Sequence, residues 1–165
     1  RTRKGQLAEV HARAGWTSQL SFVRVVRAGE QQRERRNNMI LVDTPGYGFS
    51  VGVMEQLRHF RVLLDQYVGA SAQLSLAVVL LDCTRGVCAA DTKVLKHLVR
   101  ARVPVLPLLT KTDLLDQHEL AAAHAVVRAQ LVPLLGGRAV PRYLPMVSSH
   151  FYTGIRELWL ELWQR

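Results

Sequence analysis

The sequence predicts an α/β domain: a mostly parallel sheet with helices on both faces. Three observations carry this. Strand-like and helix-like segments alternate along the chain. The central strands are continuous apolar runs, as strands covered on both faces must be. The 165 residues suit a single domain with a proper core, expected to span residues 1–165.

The elements follow in order. Leu20–Arg27 is rich in β-branched residues and reads as a strand, followed by a polar loop, Ala28–Asn38. Met39–Val42 is a short apolar run ending at Asp43, consistent with a buried parallel strand. Thr44–Gly52 holds three glycines and a proline, a loop composition. Met54–Tyr67 places Leu57, Phe60, Leu64 and Tyr67 at helical spacing. Leu74–Leu81 is an apolar strand that again ends at an aspartate, Asp82. Thr92–Arg102 reads as a helix with Val94, Leu95, Leu98 and Val99 on one face. Val103–Leu109 is a third buried strand, and Asp116–Leu135 a helix stopped by Gly136-Gly137. A short strand, Tyr143–Val147, and an amphipathic helix, Gly154–Trp163, complete the pattern.

Composition excludes several classes. Hydrophobic residues are 48% and charged residues 21%, which rules out a collagen, a coiled coil or a disordered chain. No apolar run is long enough for a membrane span. No apolar h-region follows the basic start, so no signal peptide is expected. Two cysteines, Cys83 and Cys88, make no disulfide framework and no zinc set. The six histidines are scattered without metal spacing.

Charge is less ordinary. The chain carries +9, and residues 1–38 hold nine basic against three acidic residues. Arginine dominates. A basic arm on a nearly balanced body points to a polyanionic partner, nucleic acid ahead of membrane. The plain alternative is an arginine-rich proteome.

In parallel sheets ligands bind at the carboxyl ends of the strands. Three polar clusters fall there. Asp43-Thr44-Pro45-Gly46 is a D-x-x-G at a strand end, the switch motif of P-loop GTPases. Its aspartate holds Mg²⁺, usually through a water, and its glycine lets a backbone N–H approach a γ-phosphate. D-x-P-G is also a good turn, and turn chemistry alone would account for it. Thr110-Lys111-Thr112-Asp113 offers a carboxylate that can accept from guanine N1–H and N2–H₂, a donor pair adenine lacks. The lysine stem can lie along the purine face. Alternatively, Asp113 caps a helix before Leu114. Ser148-Ser149 could present backbone N–H groups to guanine O6, or could simply cap the last helix.

With these residues in view, the chain resembles the EngB/YihA-type ribosome-biogenesis GTP-binding family. Val42–Ser50 (VDTPGYGFS) carries the likeness most specifically, and Leu80–Gly86, Val103–Leu115 and Val147–Trp159 extend it. Arg3–Gly5 and Ala14–Phe22 resemble the segment before and through the family's first switch. The resemblance implies a Ras-like P-loop GTPase fold. It implies GTP/GDP and Mg²⁺ as ligands, with Thr17 and Asp43 at the metal. Nucleotide contacts would come from Thr17, Asp43, Gly46, Thr110, Lys111, Asp113, Ser148 and Ser149. Thr17 could equally be a surface threonine before a strand. No catalytic residue is assigned: Tyr47 stands where Ras-like enzymes place a water-orienting glutamine, so slow hydrolysis awaiting a partner is expected. Trp16 and His150 depart from the family's usual residues and fit a diverged site.

No G-x-x-x-x-G-K-[ST] occurs in these residues, so the first strand and P-loop are expected to be missing from this N-terminus. An intact GTPase with its P-loop upstream and a degenerate GTPase-fold scaffold without turnover both remain open. The resemblance further implies a role in maturing the large ribosomal subunit, with rRNA, ribosomal proteins and other assembly factors as partners, no membrane, and a monomer within the ribonucleoprotein. Candidate rRNA phosphate contacts are Arg1, Arg3, Lys4, Arg13, Arg24, Arg27, Arg33, Arg35 and Arg36; the alternative is a solvated arm. The arginine excess leans toward a mitochondrion, with bacterial cytoplasm and plastid as alternatives.

Overall fold

The computed structural model describes residues 20–26, 38–47, 53–70, 74–136 and 140–164. Thr17, Arg1, Arg3, Lys4, Arg13, Arg27, Arg33, Arg35 and Arg36 lie outside the described residues. The chain divides into two compact units, residues 1–70 and 71–165.

In the first unit β1 (Ser21–Val26) and β2 (Asn38–Asp43) form an antiparallel pair. Phe22 faces Val42, and Arg24 faces Ile40. The parallel pairing expected for Met39–Val42 is thereby corrected. A short apolar run cannot specify strand direction, and the neighbour β2 meets is the preceding strand, reached through an 11-residue connection between Val26 and Asn38. Phe22 and Ile40 are exposed, so this ribbon is not buried on both faces among the described residues. Helix α1 (Val53–Ala70) follows. Its Tyr67 ring lies 5.9 Å from Phe22 and its buried Phe60 ring 5.1 Å from Tyr47.

The second unit is built on a parallel pair, β3 (Ala77–Asp82) and β4 (Val105–Thr110). The expected Leu74–Leu81 strand starts three residues later than its apolar pattern. Between the two strands runs α2 (Ala89–Arg100), opened by a reciprocal cap in which Cys88 N–H donates to the Asp91 carboxylate at 2.9 Å. Val94, Leu95 and Leu98 form its buried stripe, and Val79, Leu81, Leu106, Leu108 and Leu109 of the two strands are buried as well. Leu106–Leu109 are buried without interruption, as a strand covered on both faces requires. β3 differs: Val79 and Leu81 are 5% and 1% exposed, but Leu80 is 60% exposed. Its Leu80 face is therefore open, and among the described residues β3 pairs only with β4, which leaves its other edge unpaired.

Helix α3 (Gln117–Leu135) begins at an Asp116–Glu119 capping box, with reciprocal bonds of 2.8 and 2.9 Å. It buries Val127 and Leu131, four residues apart on one face. Its His124 Nε2 accepts from Leu144 N–H at 3.0 Å, tethering the returning chain. That return, expected as a strand over Tyr143–Val147, is reduced to one parallel bridge between Leu109 and Met146. Pro141 and Pro145 interrupt the donors a longer ladder needs. Two bonds suffice to hold it beside β4: Leu109 N–H to Pro145 O at 2.9 Å and Val147 N–H to Leu109 O at 2.8 Å. Helix α4 (Ile155–Trp163) closes the chain. No described helix is long and apolar enough to cross a membrane.

Candidate functional site

Parallel pairing in register sets Asp82 opposite Thr110, so the carboxyl ends of β3 and β4 coincide. The Leu109–Met146 bridge brings Ser148 to the same rim from the other side of β4. Three chain segments thus meet at one end of the second unit.

Thr110 ends β4 with its hydroxyl donating to the Leu81 carbonyl at 3.2 Å, tying the two strand ends together. Lys111 then adopts a left-handed conformation, φ 58° and ψ 36°, which costs about 1–2 kcal/mol in a residue with a Cβ. The turn is held from the residue that follows β3: the buried Cys83 thiol donates to the Lys111 carbonyl at 3.2 Å. Burial, with Asp82 adjacent, pushes that thiol's pKa up. The Lys111 ammonium meets Asp82 Oδ2 at 2.8 Å.

Asp113 lies inside a single 3₁₀ turn, Thr112–Leu114. It is not the cap of that turn, the plain alternative for its presence; Lys111 occupies the cap position without a side-chain bond. Its carboxylate instead accepts the Ser148 hydroxyl at 2.5 Å, across 35 positions of sequence. This bond holds the Asp113 carboxyl below the usual carboxylate range.

Ser148 is 1% exposed and fully engaged. Its N–H donates to Thr153 O at 3.1 Å, and its oxygen accepts from Phe151 N–H at 3.2 Å. The N–H is therefore spent inside the loop, and Ser148 serves as a strut for Asp113. Ser149, beside it, is exposed. Neither serine caps α4: Gly154 holds that position at φ 72° with no side-chain cap. A Cβ on Gly154 would sit 1.9 Å from the Met146 carbonyl oxygen, so glycine is what lets the loop close.

Thr110, Lys111, Asp113 and Ser148 are therefore assembled in one place. Asp43 and Gly46 belong to the other unit, where Asp43 ends β2 exposed to solvent. Gly46 has no positive φ, and a Cβ there would meet nothing within 4 Å among the described residues. Neither backbone conformation nor crowding explains that glycine. No cluster of three metal-binding side chains occurs among the described residues.

Asp82, Cys83 and Thr84 carry no role in a reading of the motifs alone. The usable signal was the pair of strands ending at Asp82 and at Thr110: parallel neighbours bring such ends together.

Residues 6–162 match the family described as the elongation factor Tu GTP binding domain. A "Probable GTP-binding protein EngB" of Nitratidesulfovibrio vulgaris is 29% identical over 161 residues, covering 97% of this chain and 66% of that protein. Its namesake in Desulfotalea psychrophila is 30% identical over 77% of this chain and 61% of its own. A third, from Bradyrhizobium diazoefficiens, is 30% identical over 95% of this chain and 67% of its own length. The chain thus spans about two thirds of the first two relatives or less. A parallel strand pair carrying T-K-x-D at its rim, a D-T-P-G-Y-G run and this breadth of similarity place the chain in the EngB-type family of GTP-binding proteins.

Proposed function

We propose that the chain belongs to a GTP-binding factor that assembles the large ribosomal subunit and is switched by GTP hydrolysis. The observation that carries the nucleotide part is the Asp113 carboxylate, fixed by Ser148 at 2.5 Å on the rim that also presents Lys111. An ionised carboxylate with one oxygen anchored can accept from guanine N1–H and N2–H₂ through its remaining lone pairs. Adenine offers no such pair. The Lys111 stem supplies an apolar surface for the purine face. Ser149, exposed next to Ser148, is the nearest source of an N–H for guanine O6.

Bound GTP with Mg²⁺ supplies the charge that orders the switch segments. Thr17 and Asp43 would hold the metal, and an exposed strand-end carboxylate suits that task. A glycine at 46 that local structure does not require fits close approach of its backbone to phosphate. The Tyr47 ring lies tilted against Phe60, and a phenol cannot orient a water as a glutamine amide would. Hydrolysis by this reading is slow until a partner completes the site. Residues 1–165 contain no G-x-x-x-x-G-K-[ST] phosphate cradle.

For the partner, +9 overall and the basic excess in residues 1–38 support rRNA phosphate contacts, with a mitochondrial ribosome precursor favoured by the arginine content. Arg24, exposed on β1, is the candidate within the described residues. The test is co-sedimentation of full-length protein with large-subunit precursors. Retention with a non-hydrolysable GTP analogue and release with GDP is expected, with affinity falling steeply in salt. Binding indifferent to nucleotide would favour a GTPase-fold scaffold without turnover.

A further inference from the structure

We propose that Asp82 and Thr84 are positioning residues of the base-recognition loop, holding the Lys111 side chain stretched along the rim so that its stem is preformed for a purine. This rests on the reading above that Lys111 and Asp113 face the guanine.

Asp82 is the last residue of β3 and stands in register with Thr110. Its two carboxylate oxygens divide their partners. Oδ1 accepts both the N–H and the hydroxyl of Thr84, at 3.0 and 2.7 Å. Oδ2 is left to the Lys111 ammonium at 2.8 Å. Thr84 thus fixes the carboxylate's rotation and aims one oxygen at the lysine. Burial raises the Asp82 pKa, but the bonds from Lys111 and Thr84 outweigh it and the net shift is downward, so the carboxylate is charged at neutral pH.

The lysine is gripped at both ends by the same turn. Cys83 holds its main-chain carbonyl and Asp82 its ammonium. The four-carbon stem spans the interval and is directed by its two anchors. The ion pair is a poor stability device, because the Lys111 side chain is 58% exposed against 18% for Asp82, and such pairs contribute little. What it supplies is order. A free lysine has many rotamers to lose when a ring settles on it, and a tethered one has already lost them.

The test titrates GDP into the full-length protein by calorimetry, using Asp82→Asn, Lys111→Ala and the double variant. Lys111→Ala is expected to weaken GDP. Asp82→Asn should weaken it by roughly three- to tenfold, the cost of ordering one long side chain on binding. The double variant should bind no worse than Lys111→Ala alone, because Asp82 acts through Lys111. Thr84→Val, at an exposed position, should give a smaller loss and Thr84→Ser none, and neither threatens folding. Additive losses, unchanged affinity in Asp82→Asn, or tighter binding there would each overturn the proposal while leaving the base site intact. Unchanged affinity in Lys111→Ala would instead remove the base-site reading, and this one with it.

Discussion

Gly154→Ala perturbs the loop that carries Ser148 without removing a polar group. Gly154 sits at φ 72°, where a side chain costs about 1–2 kcal/mol. The added Cβ would stand 1.9 Å from the Met146 carbonyl oxygen, so one of them must move by more than an ångström. Met146 cannot yield freely, because its neighbours Pro145 and Val147 are both bonded to Leu109. Straining those two bonds adds about 1 kcal/mol each. The total is about 3–4 kcal/mol, or a fall in Tm of roughly 6–16 °C for a chain of this length. Gly69→Ala is the matched control. Gly69 lies in α1, and a Cβ there meets nothing within 4 Å, so it should be neutral or stabilising by up to about 1 kcal/mol. Both are read by thermal unfolding followed by circular dichroism. A Gly154→Ala protein melting with the parent would refute the claim that this glycine is sterically required.

Further outcomes follow from the same geometry. Ser148→Ala removes the strut under Asp113 and should weaken GDP binding roughly tenfold, as loss of a hydrogen bond to a charged group does. It should also shift the acid limb of unfolding. The Asp113 pKa is lowered in the folded protein, mainly by the Ser148 hydroxyl. Its contribution is therefore complete above the unfolded carboxylate's value and is lost as pH falls through the lower folded one. Without the hydroxyl the folded value rises toward the unfolded one, so this contribution shrinks and the acid transition should move to higher pH, measured by acid titration of the circular dichroism signal. IDP, which lacks the 2-amino group, should bind roughly tenfold more weakly than GDP in competition. Cys88 should react with iodoacetamide well before Cys83, whose thiol is buried with a raised pKa; mass spectrometry of partly alkylated protein reads the order.

Much of this arrangement was legible before any coordinates. The apolar stripe Val94, Leu95, Leu98 announced α2, although that helix begins at Ala89 and not at Thr92, and the helix expected over Asp116–Leu135 is α3 within a residue. Local periodicity and caps are properties of a short stretch of chain. Strand direction is not. Met39–Val42 looks the same whether its partner runs parallel or antiparallel, and only the pairing with Ser21–Val26 decides. Leu80 likewise reads as core, yet its exposure depends on what lies beside β3. Proline placement explains why Tyr143–Val147 forms no strand, because Pro141 and Pro145 remove donors that an apolar pattern alone does not count. At the site, T-K-T-D was visible as a motif, but the contacts around it were not. The Ser148 hydroxyl reaches Asp113 across 35 positions, and the Cys83 thiol reaches the Lys111 carbonyl across 28. Such contacts are created by the register of β3, β4 and the Met146 bridge, which no local signal encodes.

Guanine selectivity is the claim on which everything else stands. Calorimetric titration of full-length protein with GDP and with ADP, repeated on Asp113→Asn, tests it most directly. GDP should bind at least a hundredfold more tightly than ADP, on the order expected when a base lacks the donors its site was built to pair, and the substitution should erase most of that margin. Equal affinity for the two nucleotides, unmoved by Asp113→Asn, would contradict the account.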